Sequence, residues 1–353
     1  MKAFDEIFVD KTKYGVKVQT SEYAEAGAHI IIDQGQSQIA GYTDQEDGVF
    51  EEVPVIIFGD HTRAIKYVDE PFFLGADGVK VLRSKDENAN YKYLYYALKN
   101  VEIPNTGYNR HFKWLKKVQI EYPDSNVQAK IVNILDKVSD LIGKKNAQLL
   151  ALDDLVRSRF VELFGECRKR VFLNDLCSII TDGTHQPPKF QSDGVPFIFV
   201  SNLARNIITY DTEKYISDET YLELYKRTPI EIGDVLLSTV GSYGHPAVVT
   251  EAKKFLFQRH IAYLKPKHDI VNSFFLHSAL LSPDGQRQIK EKVKGIAQKT
   301  LNLSEIRKIE IPLPELQKQN EFADFVHQID KSKLIVQKEL DETQLLFDSL
   351  MQE

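Results

Sequence analysis

Apolar residues recur at alternating steps of three and four in two long stretches of the chain, as on one face of an α-helix. The first stripe comprises Ile131, Leu135, Val138, Ile142, Leu149, Leu152, Val156 and Leu163, and the second comprises Phe322, Val326, Ile329, Val336, Leu340, Phe347 and Leu350. Such narrow stripes are heptad seams, which only another helix can bury. The pattern predicts helices from about Asp124 to Leu163 and from Glu315 onward, packed on each other. Covering the sheet of its own domain is a second arrangement for each helix, but it suits a wider stripe.

These two stripes belong to a sequence unit that occurs twice. When Pro123 is aligned with Pro314, an offset of 191 residues, Gln128 matches Gln319 and the apolar positions stay in phase over about forty residues without a gap. Identity between the two copies is low. A phase kept over this length is nevertheless typical of an internal duplication.

Short apolar runs broken by turn residues fill the rest of each copy and predict β-strands. They are "AHIIID", "VPVIIFG" and "VKVLRS" in the first copy and "VPFIFVSN", "GDVLLSTVG", "HPAVVTE" and "HIAYLKP" in the second. A predicted short helix, "NYKYLYYALKN", matches "VNSFFLHSALLS" with Ala97 and Leu98 over Ala279 and Leu280, and the copies begin alike with "AFDEIF" and "VFLNDL". The predicted fold class is α+β: two α/β domains at 1–122 and 166–313, joined by two long antiparallel coiled-coil helices at 123–165 and 314–353, with a pseudo-twofold internal repeat.

Composition agrees with two domains of ordinary size in a chain of 353 residues. The chain contains no run of eighteen apolar residues, and acidic side chains interrupt the N-terminal segment where a signal peptide would be apolar. Its two cysteines, Cys167 and Cys177, form neither a disulfide framework nor a metal-binding quartet. We therefore expect no membrane partner and a location in the reducing cytoplasm.

Charge alternates along the chain although the net charge is −6. Residues 1–80 carry a balance of −8 and residues 309–353 carry −6, whereas residues 81–119 carry +5 and residues 253–308 carry +8. The two basic segments lie at matching places, just before the two long helices. Screening confines the relevant field to about 8 to 10 Å, so local basic faces are sufficient to attract phosphates.

Motifs for catalysis are missing from the sequence. It has no G-x-x-x-x-G-K-[ST] loop for ATP, no G-x-G-x-x-G, no Asn-Pro-Pro-aromatic tetrad of an adenine methyltransferase and no G-x-S-x-G. Its histidines do not have metal-ligand spacing. Asp234 with Glu251 and Lys253 resembles the carboxylate set of a nuclease, but "VVTEAKKF" is better interpreted as a polar turn between two strands.

Polar, glycine-containing loops occur in both copies and can supply what base edges require, namely Arg for guanine, Asn or Gln for adenine, and short hydroxyls for either. They are "DQGQSQ", "FGDHTR" and "GYNRHFKW" in the first copy and "TDGTHQPPKF", "SNLARN", "STVGSYGH" and "FQRH" in the second. The candidate DNA-binding residues are Gln36, Ser37, Gln38, His61, Arg63, Asn109, Arg110, His111 and Lys113, and then Thr184, His185, Ser201, Asn202, Ser238, Thr239, Ser242, Tyr243, Gln258, Arg259, His260 and Lys299.

Several segments together resemble the specificity subunits of type I restriction-modification systems. "IPLPELQKQNEFADFVHQID" is similar to that family's I-P-L-P-P-L-x-x-Q-x-x-I segment, and "IEYPDSNVQAKIVNILD" is a weaker copy of it. "DGTHQPPKF", "GDVLLSTVGSYG" and "RHIAYLKP" resemble segments of the family's target recognition domains. The resemblance covers essentially the whole chain, although "YPDS" departs from the usual Pro-rich form and the loops of the first copy are divergent.

The resemblance implies a subunit without catalytic residues, metal or cofactor. Each recognition domain would read one half of a bipartite site in double-stranded DNA, and the paired helices would act as a spacer and as docking surface for two methyltransferase (M) subunits. S-adenosylmethionine would be bound by those partners, and separate restriction (R) subunits would use ATP and Mg²⁺. Three alternatives stay open: a nuclease, a coiled-coil adaptor that does not bind DNA, and a specificity subunit that pairs with a single fused nuclease-methyltransferase.

Overall fold

The computed structural model describes residues 1–75, 77–295 and 298–352, which form two compact units. Unit 1 comprises Met1–Lys144 together with the chain from Glu339 onward, and unit 2 comprises Lys145–Lys338. Each unit therefore contains one globular part and segments of both long helices. The domain boundaries drawn from the sequence stay predictions, and Glu353, at the end of the last one, lies outside the described residues.

Unit 1 is built around two small sheets and a two-stranded ribbon. Its elements are β1 (Lys2–Ala3), α1 (Phe4–Ile7), β2 (Phe8–Asp10), β3 (His29–Ile32), β4 (Gly41–Thr43), β5 (Val55–Gly59), β6 (Ile65–Val68), β7 (Phe72–Leu74), β8 (Val79–Ser84), α2 (Tyr91–Lys99), α3 (Phe112–Leu115), β9 (Gln119–Ile120) and the start of α4 (Ser125–Phe164). The four-stranded sheet has the order β2-β8-β5-β6 and is antiparallel throughout. The second sheet has the order β4-β3-β7 with β3 and β7 parallel, and β1 pairs with β9.

Unit 2 repeats this topology strand for strand. Its elements after α4 are β10 (Arg170–Phe172), α5 (Leu173–Leu176), β11 (Cys177–Asp182), β12 (Val195–Ile198), β13 (Tyr215–Ile216), α6 (Asp218–Tyr225), β14 (Val235–Ser238), β15 (Pro246–Val248), β16 (Leu256–Phe257), β17 (Ile261–Pro266), α7 (Ser273–Leu281), α8 (Pro283–Lys292), α9 (Leu303–Ile306), β18 (Glu310–Pro312) and α10 (Leu316–Gln352). The sheets have the orders β11-β17-β14-β15 and β13-β12-β16, with β12 and β16 parallel, and β10 pairs with β18. The predicted duplication is therefore present in the topology.

Individual correspondences agree with the sequence alignment at most positions. Helices α2 and α7 both begin after a capping asparagine, Asn90 and Asn272, which gives the same offset as the pairing of Ala97 with Ala279. The alignment of the two starts was wrong by one residue: Phe4 corresponds to Leu173, because each is the buried first residue of a short helix that follows the edge ribbon. Helices α6 and α8 have no equivalent in the described part of unit 1.

The two long helices lie where the heptad seams predict them, at Ser125–Phe164 and Leu316–Gln352. Leu135, Val138 and Phe347 are among the seam residues that are buried. Leu163 was assigned to the seam wrongly, since it is exposed while Phe160 and Phe164 are buried. The seam therefore shifts by one position in the last turns of α4, where the helix meets the core of unit 2. No helix in the described ranges is apolar over the length that a bilayer requires.

Within each unit the two helices pack antiparallel. In unit 2, Asp153 forms an ion pair of 2.6 Å with Lys333, and further along α4 the ring of Phe160 lies 5.5 Å from that of Phe322. Residues nearer the end of α4 therefore contact residues nearer the start of α10. In unit 1, Phe347 packs with Leu135 and with other seam residues of α4. The predicted fold class, α+β with antiparallel coiled-coil helices, is confirmed.

A buried glutamine anchors the first turn of both long helices. Nε2 of Gln128 donates to the carbonyl oxygen of Pro123, and Nε2 of Gln319 donates to that of Pro314, each across 2.9 Å. Gln319 is fully buried and also joins α10 to α7: its Nε2 donates to Ile270 O across 3.1 Å, and its Oε1 accepts from Asn272 N across 3.0 Å. These side-chain amides satisfy backbone groups of the residues that lie just before the helices begin.

Replacing Gln319 with Leu should lower the free energy of unfolding by about 1 to 3 kcal/mol, because the partly buried backbone groups of Asn272 and Ile270 would lose their partner in the protein. The same change at Gln128, for which one such backbone bond is seen, should cost less. Urea unfolding of the full chain, followed by far-ultraviolet circular dichroism, measures both. Gln317→Leu, at an exposed position of the same turn, is the matched control and should change stability by less than about 0.5 kcal/mol. Equal losses at positions 317 and 319 would contradict the anchoring role.

Candidate nucleic-acid interface

Three loops of unit 1 meet where β3 and β5 end. Gln34, after β3, contacts the turns that follow β5 and β7, because its Oε1 accepts from His61 N across 3.2 Å and its Nε2 donates to Asp77 O across 3.0 Å. The hydroxyl of Thr62 also donates to Gln34 O. The loop after β3 and the turn after β5 are thus fixed against each other by hydrogen bonds. We call the residues 33–38, 58–63 and 103–111 the unit 1 loop cluster.

The third loop of this cluster carries an exposed aromatic ring. Tyr108 is 86% exposed, and its ring stacks on that of His61 with centroids 4.7 Å apart and planes inclined by 9°. Nη1 of Arg63 donates to Ile103 O across 3.1 Å and ties the base of the same loop to the turn after β5. Arg63 adopts φ of +61°, a left-handed conformation that sharpens this turn. The arrangement presents one flat face to solvent beside the exposed Arg110.

Most unit 1 candidates lie at this surface, but one does not. Exposed positions are Gln36, Ser37, Gln38, Asn109, Arg110 and Lys113, and half-buried positions are His61 and Arg63. His111 is fully buried, and its Nδ1 lies 3.0 Å from Asp60 O. The carboxylate of Asp60 in turn accepts from Phe112 N across 2.7 Å. His111 therefore fastens the loop to the end of β5, and because it is buried we remove it from the candidate DNA-binding residues.

Loops of unit 2 gather at the corresponding edge. Thr184 N donates to Phe257 O across 3.0 Å, and Arg259 N donates to Thr184 O across 3.1 Å. The approach is close enough that a Cβ on Gly183 would lie 2.2 Å from Phe257 O, so only glycine fits there. Thr239 N donates to His260 O across 2.9 Å and Gly241 N donates to Lys299 O across 3.3 Å. We call the residues 181–190, 201–206, 238–245, 257–260 and 298–304 the unit 2 loop cluster.

A cavity of about 470 Å³ opens within the unit 2 loop cluster, and its lining includes Asp182, Arg259 and His260. Arg259 is exposed, and its Nε donates to Nε2 of His260 across 3.3 Å. Burial, together with the nearby Arg259 charge, lowers the pKa of His260, so the ring is neutral at pH 7 and can accept this bond. Because Nε is engaged, the fork of terminal nitrogens of Arg259 can face the two acceptors of a guanine edge.

The segment after β12 joins the cluster through histidines. Nδ1 of His245 lies 3.0 Å from Oδ1 of Asn206, and Nε2 of His277 lies 3.0 Å from Asn206 O. Burial lowers the pKa of both His245 and His277. Asn206 has φ of +59°, so these contacts hold a left-handed turn in place.

Three unit 2 candidates are buried, and we remove them from the candidate DNA-binding residues. Asn202 is buried, and its Nδ2 donates to Asp211 O across 2.8 Å. Ser238 is fully buried and its hydroxyl accepts from His245 N across 2.9 Å, while Thr239 is buried beside it. The remaining candidates reach solvent: His185, Ser201, Ser242, Arg259 and Lys299 are exposed, and Thr184, Tyr243, Gln258 and His260 are half-buried.

Sequence reasoning missed an ion pair, Asp182 with Arg227, whose acidic member lines the cavity. Asp182, at the end of β11, accepts from Nη2 of Arg227 across 2.5 Å and lies 2.9 Å from Nε2 of His185. Its side chain is 17% exposed, whereas that of Arg227 is 51% exposed. Asp182 lies in a loop that the sequence already marked as polar, but Arg227 is 45 residues away and no local pattern connects the two. The carboxylate holds one Arg and one His at the edge of the cluster.

The residues that resembled a nuclease set do not form one. Asp234 is fully buried, where its Oδ2 accepts from the Tyr263 hydroxyl and from Glu231 N, each across 2.8 Å, and burial raises its pKa. Glu251 is exposed on the turn, and Nζ of Lys253 lies 4.3 Å from the ring centroid of Tyr210. Among the described residues, no group of three or more His, Cys, Asp or Glu side chains could hold a metal ion. Asp234 therefore has a structural role in the sheet.

Comparisons with known proteins agree with this organisation. The family model for the type I restriction modification DNA specificity domain matches residues 9–151 and again residues 168–344. The EcoR124I/EcoR124II type I restriction enzyme specificity subunit of Escherichia coli is 25% identical over 341 residues, which cover 90% of this chain and 83% of that protein. The MjaVIII specificity subunit of Methanocaldococcus jannaschii is 23% identical over 348 residues, covering 90% and 81%.

A solved structure supports the fold as a whole. The S subunit of a type I restriction-modification system from M. genitalium superposes with a TM-score of 0.53 at 17% identity, covering 99% of this chain and 94% of that one. The two matches to the family model leave only short segments of the chain outside them. The chain belongs to the family of type I restriction-modification specificity subunits.

Proposed function

We propose that this chain binds double-stranded DNA at a bipartite site, with each loop cluster reading one half, and directs associated methyltransferase and restriction subunits to it. The observation that carries the proposal is that each of the two units has a loop cluster of the same kind. Both contain the loop after one pair of equivalent strands, β3 and β12, and the loop after a second pair, β5 and β14. Both also expose an arginine, Arg110 or Arg259, among amide and hydroxyl side chains. Such side chains match the donor and acceptor patterns of the major groove.

The two clusters differ in the side chains that they expose, which is what reading two different half-sites requires. Unit 1 offers the stacked Tyr108 and His61 beside Arg110. Unit 2 offers Arg259 held by the neutral His260, with Arg227 and His185 held by Asp182. Exposed lysines near the clusters, Lys113 and Lys299, are suited to phosphates, since a lysine is a point charge on a flexible stem.

The long helices suit a spacer and a docking surface. Each has an apolar seam that faces the other helix, and each also exposes apolar side chains, among them Leu150 at 66% and Leu334 at 72%. Exposed apolar residues on a helix that already has a partner favour contact with further subunits. We propose two methyltransferase subunits as these partners, with restriction subunits joining the assembly in the cytoplasm. S-adenosylmethionine, ATP and Mg²⁺ would be bound by the partners.

Replacing Arg259 with Ala should weaken binding to the cognate duplex by about 1 to 3 kcal/mol and relax the methylated sequence at one position, because a bidentate contact to one base is lost. Fluorescence anisotropy of the methyltransferase complex on cognate and shuffled duplexes, with methylome sequencing, measures both effects. Lys299→Ala should instead weaken both duplexes alike and reduce the salt slope by about one. Arg168→Ala, at an exposed arginine outside the cluster, is the control. Equal losses for Arg259→Ala on both duplexes would remove Arg259 from the reading surface.

Asp182→Asn should change the half-site read by unit 2 while leaving the other half-site intact. The amide cannot hold Arg227 and His185 by charge, so both side chains lose their fixed orientation. We expect relaxed base preference and a loss of cognate affinity of about 1 kcal/mol or more. Asp193→Asn, an exposed acid on a neighbouring turn, is the matched control. A methylome identical to that of the unchanged protein would show that Asp182 does not orient a reading residue.

Lengthening both helices by one heptad should widen the unread gap of the bipartite site. Since Asp153 pairs with Lys333, Leu149 lies level with Gln337, so one heptad is inserted after each of these two residues. Seven residues add about 10 Å at 1.5 Å per residue, which is two or three base pairs of duplex. Methylome sequencing should report a longer gap between unchanged half-sites. Altered bases with an unchanged gap would mean that the helices do not set the spacing.

A further inference from the structure

The third loop of the unit 1 loop cluster has a tip that is held by its own hydrogen bonds. Gly107 N donates to Oδ1 of Asn105 across 3.2 Å, and Asn109 N donates to Gly107 O across 2.8 Å. Nδ2 of Asn109 donates in addition to Thr106 O. Gly107 adopts φ of +76°, a left-handed conformation that glycine accepts without strain. These contacts fix the backbone that presents Tyr108.

The ring of Tyr108 has one covered face and one open face. Tyr108 is the most exposed of the large apolar side chains in the described ranges, at 86%. One face of its ring is stacked on His61 in an offset arrangement that aromatic pairs favour. His61 is itself held, because its backbone N–H donates to Oε1 of Gln34. The opposite face of Tyr108 is therefore oriented for a second flat ring.

The internal repeat places a lysine at the equivalent position of unit 2. The offset of 191 residues that relates the long helices also relates α3 to α9, so Tyr108 is aligned with Lys299. Both side chains are exposed, and both lie in the segment just before the short helix begins. A lysine at this place suits a phosphate, whereas an uncharged aromatic ring suits the face of a base. The two units therefore offer different chemistry at one position of the same scaffold.

We propose that Tyr108 stacks on one base of the half-site that unit 1 reads, at a base step that opens in the complex. The inference rests on the proposed function, since it places the unit 1 loop cluster against the duplex. A side chain that enters an opened step replaces part of the base stacking that is lost there. Pyrimidine–purine steps open at the lowest cost, so the step is TA or CA/TG. Unit 1 thereby selects DNA by its deformability as well as by the base edges that Arg110 reads.

The half-site of unit 1 is identified first, with Arg110→Ala in the methyltransferase complex. This variant should relax the methylated sequence of one half-site, as shown by methylome sequencing. If neither half-site relaxed, the proposed reading by unit 1 would be wrong and the stacking of Tyr108 with it. If one half-site relaxed, the variants of Tyr108 test the stack alone.

Anisotropy of the same complex on its cognate duplex compares Tyr108→Ala with Tyr108→Phe. The alanine variant should bind about five- to a hundredfold more weakly, as expected for the loss of one base–aromatic stack, with an unchanged salt slope. The phenylalanine variant keeps the ring and should restore affinity to within about twofold. Tyr108→Lys, which copies unit 2, should stay weak and steepen the salt slope by about one.

Three results would overturn the proposal. Full affinity in Tyr108→Ala would show that the ring makes no contact with DNA. Equal losses in Tyr108→Ala and Tyr108→Phe would assign the contact to the hydroxyl group, as in a hydrogen bond to a phosphate. Full affinity in Tyr108→Lys would assign the position to phosphate attraction, as in unit 2.

Photo-crosslinking identifies the stacked base directly. Iodouracil replaces each thymine of the unit 1 half-site in turn, and on irradiation it crosslinks to an aromatic side chain that stacks on it. Because every TA and CA/TG step contains a thymine, one substituted position should crosslink to Tyr108, as identified by mass spectrometry of the tryptic peptide. The crosslink should persist in Tyr108→Phe and disappear in Tyr108→Ala. No crosslink to Tyr108 at any thymine, or one only at a thymine outside a pyrimidine–purine step, would contradict the proposal.

Discussion

The structure depends on burying two narrow apolar seams, one on each long helix. Another helix buries such a narrow seam more completely than a sheet does, and α4 and α10 pack antiparallel in both units. Each helix also contributes residues to a globular core, as Phe160 and Phe322 do in unit 2. The buried amide of Gln319 fixes the start of α10 to the start of α7 in unit 2. Helix pairing and domain folding are therefore coupled through shared side chains.

The internal repeat shows which parts of each unit form a common scaffold and which parts differ between the units. Strand orders, the short helices with asparagine caps and the buried glutamines recur in both units, whereas the loop clusters expose different residues. The buried polar residues of the clusters belong to the scaffold. His111 and Ser238 both bond to backbone atoms and hold a loop against a strand end.

Periodicity and resemblance allowed much to be predicted from the sequence. The family, the fold class, the non-catalytic role, the long helices and the strand runs are confirmed. Burial of loop residues was not predictable, since a serine or histidine that bonds backbone atoms has the same local sequence as one that faces solvent. The pair of Asp182 and Arg227 was missed because 45 residues separate them. Leu163 was misplaced because the heptad pattern does not report where a helix leaves its partner and enters a core.

Two exposed arginines, Arg259 and Arg227, are oriented by neighbouring side chains that are neutral or acidic. This orientation suits them to the base reading proposed above. A free arginine on a loop loses side-chain entropy when it binds, and that loss offsets part of the contact energy. Arg259 is held through Nε by a histidine whose lowered pKa keeps it neutral, and Arg227 is held by Asp182. Such partners reduce the entropy lost on binding without occupying the whole guanidinium fork. A lysine at either position would lack the second donor edge, so under the proposed function arginine suits discrimination between bases, and lysine, as at position 299, suits attraction to phosphates.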